Sequence, residues 1–277
     1  MCRRALLARA ATVIAVLALL APRARAQALP ADAVGALARL HASPRHGEWV
    51  KLDAGGGDSV SAWVVYPERR DPASVVVVIH EIFGLTDWIR AVADQLAAEG
   101  FIAIAPDLLS GKGPNGSGTP ADEQEARRLV RELSPDEIAR RLRAAALYAT
   151  ALPAARNAVG SIGFCWGGSQ SFAFATTLPS LRGAVVYYGA SPAADALPRV
   201  GAVVLGLYGG DDARVNATVE PARREMARLG KRYEVETYDG AGHGFLRDQA
   251  GRDGANRRAA ERAWPRTVAF LRRVLGR

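Results

Sequence analysis

The chain is poor in the residues that build cross-links and metal sites. Its 277 residues hold two cysteines, Cys2 and Cys165, and four histidines, His41, His46, His80 and His243. So few thiols exclude a disulfide framework. No histidine, cysteine and carboxylate residues recur at metal-ligand spacing, so neither a metal nor a cofactor is expected. No apolar run reaches the ~20 residues of a membrane span. The longest, from Ala10 to Leu20, follows Arg3 and Arg4 and ends near Ala24-Arg25-Ala26. A basic start, a short apolar stretch and a small-x-small end make a signal peptide over residues 1–26, so an exported protein, periplasmic or secreted, without a stable membrane anchor is expected. Arg3-Arg4 is also a weak twin-arginine signal. Acids are missing from this segment. Cleavage would remove five arginines and lower the formal charge from +8 to +3, so nucleic acid is not an expected partner. It would also remove Cys2 and leave Cys165 as the one thiol, better suited to chemistry than to framework.

Neither a linker nor an internal repeat interrupts the remainder. Residues 27–47 have little pattern and read as a lead-in, followed by one α/β domain over 48–277. Strand-like runs lie near Trp49–Asp53, Val60–Tyr66, Val75–Ile79, Phe101–Ala105, Ala158–Gly163, Ala184–Tyr188, Val203–Tyr208 and Tyr233–Tyr238. Helical patterns alternate with them, which predicts a mostly parallel sheet of about eight strands covered on both faces. One helix runs from Thr86 to Glu99, with Trp88, Val92 and Leu96 on one face and Gly100 as its stop. Another starts at the capping box Ser134-Pro135-Asp136-Glu137 and reaches about Thr150. A third spans Ala255 to Leu275, with Val268, Leu271 and Leu275 facing inward and a kink or restart expected at Pro265. Its arginines read as a solvated face.

The segment 111–120 is too polar to pack a core. Gly111 to Gly116 fits G-x-G-x-x-G literally, but more turn residues follow where a dinucleotide site needs a helix. Because it follows a strand, it reads as a flexible rim or part of a lid, with a plain surface loop as the alternative.

Chemistry concentrates in four strings. Gly163-Phe164-Cys165-Trp166-Gly167-Gly168 follows an apolar run and precedes a helical one, the strand, sharp turn and helix of a nucleophile elbow with a thiol in place of the hydroxyl. A helix N-terminus there would favour thiolate; the plain alternative is a buried structural cysteine. Gly209-Gly210-Asp211-Asp212 ends a later strand, offering Asp212, followed three residues later by the apolar Val215, with Asp211 as fallback. Gly-Gly-Asp-Asp is also good turn chemistry. His243 follows the next strand within Gly240-Ala241-Gly242-His243-Gly244-Phe245. Nucleophile, acid and histidine thus come in the chain order of an α/β-hydrolase triad. Upstream, Val75–Ile79 runs into His80-Glu81-Ile82-Phe83-Gly84, where one oxyanion donor would arise at Ile82, the other being Trp166.

Taken together, these strings resemble the dienelactone hydrolase (carboxymethylenebutenolidase) family over roughly Ser59 to the C-terminus. The resemblance implies a single α/β-hydrolase domain and a triad of Cys165, Asp212 and His243 that hydrolyses an ester or lactone through a thiol acyl-enzyme. It further implies a glutamate, Glu81, paired with the resting thiol, and Arg247 binding a substrate carboxylate. A second carboxylate-binding arginine is expected shortly after the strand ending at Ala105, where this chain has Ser110-Gly111-Lys112 and so only Lys112, a point charge without a bidentate fork. A small-molecule ester or lactone is the expected partner, and a monomer the expected state. A general thiol carboxylesterase or thioesterase on the same fold, and more distantly a redox or binding protein that uses Cys165 without catalysis, remain as alternatives.

Overall fold

A computed structural model of the chain describes residues 28–276. The expected signal peptide lies outside them. Eight strands form one sheet: β1 (Gly47–Asp53), β2 (Ser59–Val65), β3 (Ala73–Ile79), β4 (Ile102–Pro106), β5 (Ala155–Phe164), β6 (Leu181–Tyr187), β7 (Val203–Gly209) and β8 (Tyr233–Tyr238). Their order is β1-β2-β4-β3-β5-β6-β7-β8. β2 pairs antiparallel with both neighbours and every other pairing beyond it is parallel, so β2 alone runs against the rest. The central β3 is buried at every residue, which is why it reads as a continuous β-branched run rather than an alternating one.

Helices cover both faces. α1 (Ala36–His41), α2 (Asp87–Ala98) and α7 (Ala255–Leu275) pack on one side. α3 (Glu123–Glu132), α4 (Pro135–Thr150), α5 (Trp166–Phe174) and α6 (Ala213–Arg228) pack on the other. α2 begins after Thr86 and ends before Gly100, whose φ of +94° needs no Cβ. Ser134 caps α4 by accepting the Glu137 N–H at 3.2 Å, a bond of the kind worth about 1 kcal/mol. Val268, Leu271 and Leu275 face the core as expected. Pro265 does not restart α7, which runs through it as one helix. Trp264, Thr267 and Val268 are fully buried around the proline, so packing against the sheet holds the helix across the missing hydrogen bond.

The stretch before β1 is tied down by polar contacts as well as by an apolar face, where Ala36 is buried and Leu29, Ala33 and Leu40 pack against the core beneath α2 and α7. Arg45 grips the buried Asp94 of α2 with Nε at 2.9 Å and Nη2 at 2.5 Å. Trp88 Nε1 donates to Ala31 O at 3.1 Å, Gln249 Nε2 to Pro30 O at 2.9 Å, and Ala33 N–H to Arg247 O at 2.9 Å. The last two brace the loop after β8. The segment 111–120 is held as well. Asp107 accepts Thr119 N–H and Thr119 Oγ1–H, each at 2.7 Å, and Thr119 Oγ1 accepts Leu85 N–H at 2.8 Å. The end of this loop is therefore pinned beside the turn after β3 rather than hanging free as a lid.

Candidate active site

The C-terminal ends of β3, β5, β7 and β8 converge at one end of the sheet, and each delivers one chemical group. β5 ends in the elbow. Cys165 has φ +55° and ψ −120° and α5 begins at the next residue. The strained turn is possible because the chain closes tightly around it. A Cβ at Gly163 would sit 1.9 Å from Gly167 O, and one at Gly167 would sit 2.3 Å from His80 O. The second contact presses the elbow onto the end of β3, so the Ile82 and Trp166 segments adjoin.

His80 helps to seat this junction. Its Nδ1–H donates to Glu81 O at 2.7 Å, and its Nε2 accepts Leu108 N–H at 3.2 Å. Both nitrogens are spent and burial pulls the imidazole below its ordinary pKa, so His80 is a neutral structural tie between β3 and β4.

β7 ends in the two aspartates, and the structure separates them. Asp212 is buried, with its side chain 7 % exposed, and its Oδ2 lies 2.5 Å from His243 Nδ1. Asp211 points outward and pairs with Arg252 at 3.1 Å. With Nδ1–H donated to Asp212, His243 keeps Nε2 as a free acceptor, and the imidazole is 34 % exposed. Asp212 Oδ1 also accepts Val215 N–H at 3.4 Å, capping α6.

The thiol does not sit in a thiolate-favouring environment, despite its place before a helix. Burial pushes its pKa up to about 11, and negative charge at Glu81 and Asp212 adds to this. A hydrogen bond from Trp166 N–H and the charge of Arg214 act the other way and lose. The helix N-terminus expected to lower the pKa is outweighed by desolvation and two facing carboxylates.

Glu81 is itself nearly closed off. Burial raises its carboxyl to about 8, against the pull of Arg247 and with a further push from Glu123. Arg247 Nε lies 3.1 Å from Glu81 Oε2. Glu81 therefore lies against Arg247 rather than in the expected pairing with the thiol, and its charge, carried above about pH 8, acts on the sulfur.

Lys112 is not drawn into this cluster. Its ammonium pairs with Glu137 at 3.0 Å and lines a polar cleft of about 520 Å³ with Lys51, Asp58 and Arg141. The second guanidinium comes instead from α3. Arg127 and Arg247 lie over the Phe83 ring, their guanidinium carbons 4.7 and 4.6 Å from its centre. Both reach toward Glu123, at 3.6 and 3.9 Å. The Nε atoms of both arginines are buried without a hydrogen-bond partner among the described residues. Two buried guanidinium donors left open beside a catalytic-type cluster are suited to an anion. Sequence reasoning missed Arg127 because helix α3 was not recognised; Asp122, which accepts Glu125 N–H at 2.7 Å ahead of two first-turn acids, was the available signal.

Comparison with known proteins identifies the family and the fold. The family model for dienelactone hydrolases matches residues 60–275. A Saccharolobus solfataricus protein provisionally named carboxymethylenebutenolidase is 32% identical over 250 residues, covering 79% of this chain and 95% of its own. A solved structure from Klebsiella pneumoniae, provisionally a dienelactone hydrolase, superposes with a TM-score of 0.72 at 28% identity, covering 82% of this chain and 98% of its own. A dienelactone hydrolase-like promiscuous phosphotriesterase from metagenomic libraries gives 0.71 at 25% identity, covering 84% and 99%. With the eight-stranded sheet, the elbow and these matches in agreement, the chain is an α/β-hydrolase-fold hydrolase that belongs to the dienelactone hydrolase family.

Proposed function

We propose that this hydrolase cleaves an ester or lactone bearing a carboxylate, through an acyl-enzyme on Cys165. The supporting observation is the strained elbow that presents Cys165 at the same end of the sheet as the 2.5 Å Asp212–His243 pair. In the resting enzyme the thiol keeps its proton. His243 Nε2 takes that proton as sulfur attacks the carbonyl carbon, and Asp212 holds the imidazole in the tautomer that makes Nε2 the acceptor. The new oxyanion accepts the N–H groups of Ile82 and Trp166, each worth roughly 3 kcal/mol to such a transition state. Collapse breaks the carbon–oxygen bond, and the leaving oxygen takes the proton from His243. Water then gives His243 a proton while its oxygen attacks the thioester. The carbon–sulfur bond breaks, and sulfur is reprotonated.

The open Nε donors of Arg127 and Arg247 favour a carboxylate-bearing substrate over a neutral ester. A carboxylate drawn to Arg247 competes directly with Glu81 for that guanidinium. With the signal peptide read over residues 1–26, this reading sets the reaction outside the cytoplasm and takes the chain as a monomer.

The test is acyl trapping. The protein is mixed with a slow carboxylate-bearing ester and quenched in acid, and mass spectrometry is used to look for the acyl group on the peptide containing Cys165. Cys165→Ala should show no adduct and no turnover, whereas Cys165→Ser should retain weak activity at most. Near-normal kcat in Cys165→Ala removes the mechanism.

A further inference from the structure

Tyr188 carries two costs at one residue. Its ring is fully buried, and its hydroxyl has no hydrogen-bond partner among the described residues. Its φ is +41°, in the left-handed region that a tyrosine rarely adopts. A buried unpaired hydroxyl and a strained backbone persist where the surrounding structure has a use for them.

The strain decides which way the ring points. Along β6, Val185 and Tyr187 face the core beneath α7, while Ala184 and Val186 face the opposite core. Period-two alternation assigns Tyr188 to the side of Ala184 and Val186. The left-handed turn instead returns its ring to the side of Tyr187. There its centre lies 5.1 Å from that of His243 and 5.3 Å from that of Phe245. Cys165 is adjacent, since its N–H donates to Tyr187 O at 3.0 Å. Burial raises the phenol pKa well above its ordinary value, and negative charge at Glu81 and Cys165 raises it further, with Arg247 opposing. The hydroxyl therefore keeps its proton across the working range and remains a donor.

We propose that the Tyr188 hydroxyl is a reserve donor to the Cys165 sulfur, unpartnered while the thiol is protonated and hydrogen-bonded to Sγ once sulfur becomes anionic. A protonated thiol is a weak acceptor and a thiolate a strong one, so an anionic sulfur offers the open hydroxyl a partner that the resting thiol does not. The tyrosine keeps its own proton throughout, and the thiol proton passes to His243. The inference rests on Cys165 being the nucleophile.

Tyr188→Phe deletes the donor and keeps the ring. The thiol titration is read from the pH dependence of iodoacetamide alkylation at Cys165. It should move up by about one unit, and kcat should fall about tenfold with KM within about twofold. Melting temperature should be unchanged or higher, because an unpaired polar atom has left the core. The other charged and titratable groups around the sulfur and the phenol are Glu81, Tyr187, Asp212, Arg214, His243 and Arg247. The same shift is expected in a Glu81→Gln background, which excludes Glu81 as the source. A lowered melting temperature with an unchanged alkylation profile assigns Tyr188 to structure and overturns the proposal. Cys165→Ala, assayed in parallel, separates the two readings. If it abolishes hydrolysis while Tyr188→Phe leaves the alkylation profile unmoved, the nucleophile stands and the donor falls; turnover surviving in Cys165→Ala removes the nucleophile itself.

Discussion

Arg247 Nε lies 3.1 Å from Glu81 Oε2, yet its N–H is not directed at that oxygen and finds no other acceptor among the described residues. The contact holds the two groups together without satisfying the guanidinium. An incoming carboxylate gains a donor that Glu81 leaves open.

Arg247→Ala and Arg127→Ala should each lower kcat/KM for carboxylate-bearing esters by about ten- to a hundredfold, the value of a charge-assisted hydrogen bond of roughly 1.5 to 3 kcal/mol. Neutral esters should be nearly unaffected. Lys112→Ala should change either class by less than about twofold, because its ammonium is committed to Glu137. A kinetic panel of matched acidic and neutral esters checks all three, and equal losses on both classes would favour a general esterase.

Glu81 links this site to stability. Its carboxyl moves from an ordinary 4.5 to about 8 on burial, so the folded protein retains a proton that the unfolded chain has released between these values. The stability this provides is full below about pH 4.5 and is lost as pH rises through about 8. Urea melts across that window should show a shallower decline in Glu81→Gln than in the wild type. The same substitution removes a negative charge facing the thiol, so alkylation of Cys165 at pH 9 should be faster. A slower thiol would contradict the electrostatics of the site.

The two aspartates should behave differently. Asp212→Asn leaves a carboxamide beside His243 and disturbs the tautomer, and should reduce kcat by about 10³- to 10⁴-fold. Asp211→Asn loses only a half-exposed pair with Arg252, and should leave kcat within about twofold. Comparable losses in both would mean that the Asp212–His243 contact is not the working one.

Export can be checked directly. N-terminal sequencing of the protein recovered outside the cytoplasm should begin at or near Gln27. Finding Met1 on that pool, or only cytosolic protein, would discard the signal peptide.

The strands and the elbow were legible because their signals are local. Val75–Ile79 shows burial on both faces through composition alone, and Gly163 and Gly167 around Cys165 mark a turn too tight for a Cβ. The chain order of Cys165, Asp212 and His243 likewise pointed to a triad before any coordinates. What the linear chain could not settle was which distant side chains meet. Asp211 and Asp212 are neighbours with the same chemistry, and only the path of the loop after β8 sets one beside His243 and the other beside Arg252. Lys112 is held by Glu137 of α4, while Arg127 of α3 reaches the Phe83 ring beside Arg247. The thiol's pKa depends on how deeply the elbow is buried and how closely Glu81 faces it. The turn at Tyr188 reverses the side that strand alternation assigns. Each of these is a distance between segments remote in the chain, or a backbone angle imposed by packing, and such quantities exist only once the sheet and its helices have closed together.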